Sequence, residues 1–123
     1  MRAEPRCVTT LIVIGIPTTV RRENERYLEQ FKMHVSGYET SEFGLEWMRF
    51  EPGCPLPALV RTVPHVAFRV DDLDEAWRGR DILIAPNSPS PGIRVAFIVE
   101  NGAPVELLED RTSAETGRPP ATR

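Results

Sequence analysis

Cysteine is scarce in this chain. Cys7 and Cys54 are the two thiols in 123 residues, in no CxxC spacing and with no nearby histidine to complete a tetrahedral set. That excludes a disulfide framework or a structural zinc cluster, and both thiols read as free. Long apolar runs are missing too. The longest near the start, residues 11–16, is far shorter than the roughly 20 residues a membrane helix needs. The first residues lack a basic segment followed by an apolar one and a cleavage site, so the expectation is a cytoplasmic protein with no membrane partner. Positive charge is not in excess: 15 Lys and Arg against 18 Asp and Glu leave a net charge of -3. No basic run interleaves with aromatics, which argues against a nucleic-acid partner. Gly37, Gly44, Gly53, Gly79, Gly92 and Gly102 are isolated turn glycines, none of them in a phosphate-binding loop. The cluster Asp71, Asp72, Asp74 and Glu75 lacks the glycine and distal glutamate of a calcium loop and reads as a helix start.

What is present is enough for one core. With 41% hydrophobic residues, the chain can bury a single domain over residues 1–111. Nine of the twelve prolines concentrate at residues 52–64 and 86–91 and at Pro119 and Pro120, marking two connectors and a tail. Residues 112–123 lose the apolar pattern and read as a flexible tail. Residues 8–16, β-branched and apolar, predict a strand. Residues 18–35 carry Tyr27, Leu28 and Phe31 at helical spacing, with Thr18 or Thr19 as cap, and predict an amphipathic helix. Residues 34–40 are weakly strand-like and 43–50 more firmly so. The order then returns: a strand over 64–70, a short helix from Asp71 through Trp77, and strands over 81–85, 93–100 and 103–109. Asn101-Gly102 joins the last two as a hairpin.

This order suggests an internal repeat, with module one at about residues 8–51 and module two at about 64–110. Val13-Ile14-Gly15-Ile16 matches His65-Val66-Ala67-Phe68, and Leu45-Glu46-Trp47-Met48 matches Val105-Glu106-Leu107-Leu108. The first pair is 52 residues apart and the second 60, so the second copy is longer by about one strand or loop.

Strand alternation separates the chemistry from the core. His65 shares a face with Ala67 and Arg69, while Val66, Phe68 and Val70 turn toward the helix. Glu106 lies mid-strand between Val105 and Leu107, where an unpaired carboxylate is costly to bury, so it needs a partner. A histidine and a glutamate facing one cavity can hold a divalent metal or act as acid and base without one. Glu46 is a third carboxylate at the matching place in the first half, its plain alternative being a solvated edge charge near Arg49. His34 reads as a surface histidine.

The runs Pro64-His65-Val66-Ala67-Phe68-Arg69-Val70-Asp71-Asp72-Leu73-Asp74 and Gly102-Ala103-Pro104-Val105-Glu106-Leu107 resemble the second module of the vicinal oxygen chelate superfamily. This is the glyoxalase, bleomycin-resistance and extradiol-dioxygenase group. The resemblance spans residues 9–109 and is strongest from Gly44 onward. It implies an α+β fold in which two tandem βαβββ modules curl a mixed sheet around a cleft, commonly in a homodimer. In metal-using relatives one ligand comes from the first and one from the last strand of each module, which implies Val13, Glu46, His65 and Glu106 here. Valine cannot ligate, so Glu46, His65 and Glu106 remain as catalytic residues and as three donors for Zn, Ni, Co, Mn or Fe. The function the resemblance implies is an isomerase or lyase acting on a small molecule in the cleft, with or without that metal. The alternatives are a metal-free protein that sequesters a natural product, for which Trp47, Met48 and Phe50 are available, and a metal-free tailoring cyclase.

Overall fold

The computed structural model describes residues 8–112, and eight strands and two short helices account for most of them. The strands are β1 (Val8–Pro17), β2 (Arg26–Leu28), β3 (Met33–Ser36) and β4 (Leu45–Phe50) in the first half. After helix α1 (Ala58–Thr62) come β5 (His65–Val70), helix α2 (Leu73–Trp77), β6 (Asp81–Ser90), β7 (Ile93–Glu100) and β8 (Ala103–Asp110). All eight strands form one curled sheet in the order β2-β3-β4-β1-β5-β8-β7-β6. Each half therefore runs outward from the centre in the same pattern. The sheet is mixed: β1 pairs parallel with β4 and β5 parallel with β8, while β1 and β5 meet antiparallel at the middle.

The registers carry the repeat. Gly15 stands opposite Glu46 on β4, and Ala67 stands opposite Glu106 on β8. Gly15 to Ala67 is again 52 residues and Glu46 to Glu106 again 60, the two separations expected from the matched runs. Backbone pairing thus places the two halves in the same internal alignment as the sequence does.

Apart from β6, the second half is built as expected. Apolar side chains from alternate positions of β5, β7 and β8 (Val70, Ala96, Ile98 and Leu107) pack under Leu73 and Ala76 of α2. A five-residue helix is too short to persist by itself, so it depends on this burial and on its caps. Asp72 caps α2, its Oδ1 accepting the Glu75 amide at 3.3 Å, and Glu109 reaches from β8 to accept the Leu73 amide at 3.1 Å. Burying a leucine side chain contributes about 1.5–3 kcal/mol, which makes Leu73 the main anchor. Between β7 and β8, Asn101 (φ 52) and Gly102 (φ 84) both take left-handed backbone, the conformation a two-residue hairpin turn demands.

Three expectations are corrected. Residues 18–35 do not form a helix: they give a loop, the short β2, a 3-10 turn at Glu29–Phe31 and β3. Asn24 and Lys32 adopt left-handed backbone at φ 61 and 51, which interrupts any helical run. Leu28, Met33 and Phe31 still bury together, but as a hairpin against Met48 and Phe50, so the first module lacks its helix. The second correction is β6, which continues past Ala85 to Ser90 through Pro86 and Pro89. It is an edge strand, where a missing N–H costs no ladder bond, and its pairing to β7 is irregular over that stretch. The third is the proline-rich segment 52–64, which contains α1 rather than being a plain connector. The flexible tail expected for residues 112–123 lies outside the described residues apart from Thr112, which bonds Asp110 through both its amide and its hydroxyl. Among the described residues, no helix is long and apolar enough to cross a membrane.

Candidate functional site

The face of the sheet away from α2 lines a cleft between the two halves. From the first half come Leu28, Phe31, Met33 and Met48; from the second come Ile84, Val95 and Phe97; and Leu56 and Val60 of the α1 segment close it over. His65, Glu106 and Asn87 are the polar members of this lining. The cleft is therefore apolar with a small polar floor, the usual composition of a small-molecule site.

His65 and Glu106 meet at that floor. The imidazole Nε2 lies 3.1 Å from Glu106 Oε1, with the two side chains 1% and 0% exposed. The ring of Phe97 stands edge-on to the imidazole, with centroids 4.9 Å apart. Glu106 and Phe97 are direct neighbours across the β7–β8 ladder, so the same pair of strands sets both the carboxylate and the aromatic wall. The buried carboxylate thus has the partner that its mid-strand position requires.

Gly15 makes room for the histidine. It is opposite His65 in the β1–β5 ladder, and a Cβ built on it would lie 2.9 Å from both ring nitrogens. No side chain larger than hydrogen fits beneath the imidazole in this pose. Gly15 is a site residue missed by the motif reading, although a glycine inside a β-branched strand signals close approach by another group.

Glu46 does not line the cleft. It is 2% exposed rather than a solvated edge charge. Arg49, on the opposite face, pairs instead with Glu25 through contacts of 2.8 and 2.7 Å. Glu46 opens into a second, polar cavity with Asn24, Arg26, Ser36 and Glu39. Gly15 lies between its strand and that of His65. Of the three aromatic or thioether residues proposed for ligand contact, Met48 lines the cleft and Phe50 packs beside it. Trp47 faces away and lies under the Arg22 guanidinium.

The implied metal set does not fit these residues. Val13, buried opposite Ala67, supplies no donor. His65 Nε2 is directed at Glu106, and Glu46 belongs to the other cavity. Among the described residues, no group of three or more His, Cys, Asp and Glu side chains could hold a metal ion.

His34, expected at the open surface, is held by two carboxylates. Its Nε2 is 2.7 Å from Glu51 and its Nδ1 is 3.8 Å from Glu25. The hairpin β2–β3 and its pairing to β4 bring together partners that are distant in sequence. Arg49 hydrogen-bonds the Glu25 carboxylate and holds its pKa down to about 2.

These strand orders, the cleft and the duplicated register define a protein with the vicinal oxygen chelate fold. No family model matches the sequence, and no curated protein does either. Among solved structures, the methylmalonyl-CoA epimerase of Mycobacterium tuberculosis is similar to this chain with a TM-score of 0.54 and 15% sequence identity, over 94% of this chain and 97% of that one. At that identity the likeness establishes the fold.

Proposed function

We propose that this chain acts on an apolar small molecule in the cleft, moving a proton with His65 and Glu106 and without a bound metal. The observation that carries this reading is the 3.1 Å contact between His65 Nε2 and Glu106 Oε1 at the polar floor of an apolar cleft. In it, Glu106 accepts the Nε2 proton and leaves Nδ1 as the basic nitrogen. Nδ1 takes a proton from a carbon acid next to a carbonyl, the carboxylate stabilises the imidazolium, and the proton returns to an adjacent atom of the substrate. The net change is an isomerisation, with no oxidant, reductant or water consumed. Positioned acid–base catalysis of this kind contributes about 10²- to 10⁴-fold.

The test is proton exchange. The protein is incubated with a panel of apolar ketones and thioesters in deuterium oxide, and deuterium at the α-carbon is followed by NMR. The expected result is incorporation by the wild type that falls by about 10²-fold or more in His65→Gln and Glu106→Gln.

A second reading is supported by the near-complete burial of both side chains. In that reading the pair satisfies itself, and the cleft sequesters an apolar natural product without changing it. Tight binding of such a ligand with no exchange in any substrate would favour it over proton transfer.

A further inference from the structure

We infer that Asn87 selects the ligand of the cleft, by hydrogen-bonding a neutral hydroxyl on the part of an apolar molecule remote from His65 and Glu106. The inference rests on the cleft being the ligand site, as proposed above. Asn87 reaches the lining through an irregularity of β6. Ile84 pairs with Phe97 and Asn87 with Val95, so three steps along β6 match two along β7. Residues three apart on a regular strand point to opposite faces. The extra residue cancels that alternation, and Ile84 and Asn87 both line the cleft. A bulge of this kind disrupts the ladder locally and re-aims a side chain. Here it turns an amide onto a face whose other β6 and β7 residues are apolar.

The bulge also orients that amide. Asn87 Nδ2 donates to the Ala85 carbonyl at 2.9 Å, across Pro86. A carboxamide carries two N–H groups and an acceptor oxygen, so this bond leaves one N–H and Oδ1 for a ligand. The position is separate from the acid–base pair. Phe97 stands opposite Glu106, and Val95 opposite Asn87, which puts Asn87 two strands across and one same-face step along from Glu106. Measured along the sheet, that is roughly 12 Å between Cα atoms. Val95 and Phe97 fill the interval with apolar surface. A molecule that reaches both ends is therefore polar at each end and apolar between. Among the described residues no Lys or Arg lines the cleft, and its carboxylate is already turned to His65. An ionised group beside Asn87 would lose water with no counter-charge to replace it. A hydroxyl is neutral and both donates and accepts, which matches what the amide has left.

The experiment is displacement of the neutral dye Nile red from the intact protein by two matched pairs, octan-2-one with 8-hydroxyoctan-2-one and decan-2-one with 10-hydroxydecan-2-one. Within each pair the readout is the ratio of the displacing concentrations, hydroxyketone over ketone, which cancels any change in dye affinity. In Asn87→Leu, which keeps the side chain's approximate size and removes its hydrogen bonds, that ratio should rise above the wild-type value by about threefold or more for at least one pair. Asn87→Ala carries the same test if the leucine variant does not fold. A smaller rise in both pairs, a fall, or equal weakening of ketone and hydroxyketone overturns the inference alone, the last assigning Asn87 to the shape of the bulge. Failure of the dye to bind, or of every ketone to displace it, overturns the cleft as ligand site and this inference with it.

Discussion

Gly15 and His65 face each other across the central ladder, and the imidazole occupies the space that any side chain at position 15 would need. Gly15→Ala should therefore displace the ring from Glu106 and destabilise the fold by about 1–3 kcal/mol, the usual cost of overpacking. Urea denaturation and the His65 ring resonances measure the two effects. An unchanged midpoint with unmoved resonances would show that the ring does not need this space.

Glu106→Ala removes the partner of a buried histidine and leaves a cavity. The expected loss is about 3 kcal/mol, with Glu106→Gln milder because it can still bond Nε2. Equal losses for the two variants would mean that packing volume, and not the hydrogen bond, is what Glu106 supplies.

Metal affinity should be low. The wild type, dialysed against zinc, nickel or cobalt and analysed by mass spectrometry, is expected to retain well under one equivalent, since Val13 contributes no donor and Glu46 lies in the other cavity. One tightly held equivalent that disappears in His65→Ala would contradict this.

Acid should erase one specific contribution. The Glu25 carboxyl is held down to about 2 from 4.5, first by its hydrogen bond to Arg49. A depressed carboxylate stabilises the fold fully above its ordinary pKa and loses that contribution as pH falls from about 4.5 toward 2. The difference in melting temperature between wild type and Glu25→Gln should therefore be constant near neutrality and shrink through that window. A difference independent of pH down to 2 would rule out the Arg49 pairing as its source.

Glu109 ties β8 to the start of α2. Glu109→Ala leaves the buried Leu73 amide without its acceptor, an expected cost of about 1–3 kcal/mol. Hydrogen exchange at Leu73 should accelerate more than exchange in β3, on the far side of the sheet, and uniform acceleration would argue against a local tie.

The second half was legible because each strand there alternates one buried set with another and each turn carries its own chemistry, as at Asn101-Gly102. His65 and Glu106 could be named for the same reason: a polar residue mid-strand stands out against apolar neighbours. The first half misled at residues 18–35, where Tyr27, Leu28 and Phe31 have helical spacing yet Tyr27 is 47% exposed. What sets that segment is the pairing of β3 with β4, a nonlocal contact that periodicity does not report. The contacts of His34 with Glu25 and Glu51 and the opening of Glu46 into a cavity other than the cleft likewise depend on tertiary contacts.

The passage between the halves does more than connect them. Leu56 and Val60 lie on the chain's crossing from β4 to β5, and they form a wall of the cleft. Substitutions in this crossing would alter the shape offered to a ligand while leaving the eight-stranded frame and its ladder bonds untouched. A duplicated scaffold of this kind can thus acquire new ligand preferences in the stretch of chain that belongs to neither copy.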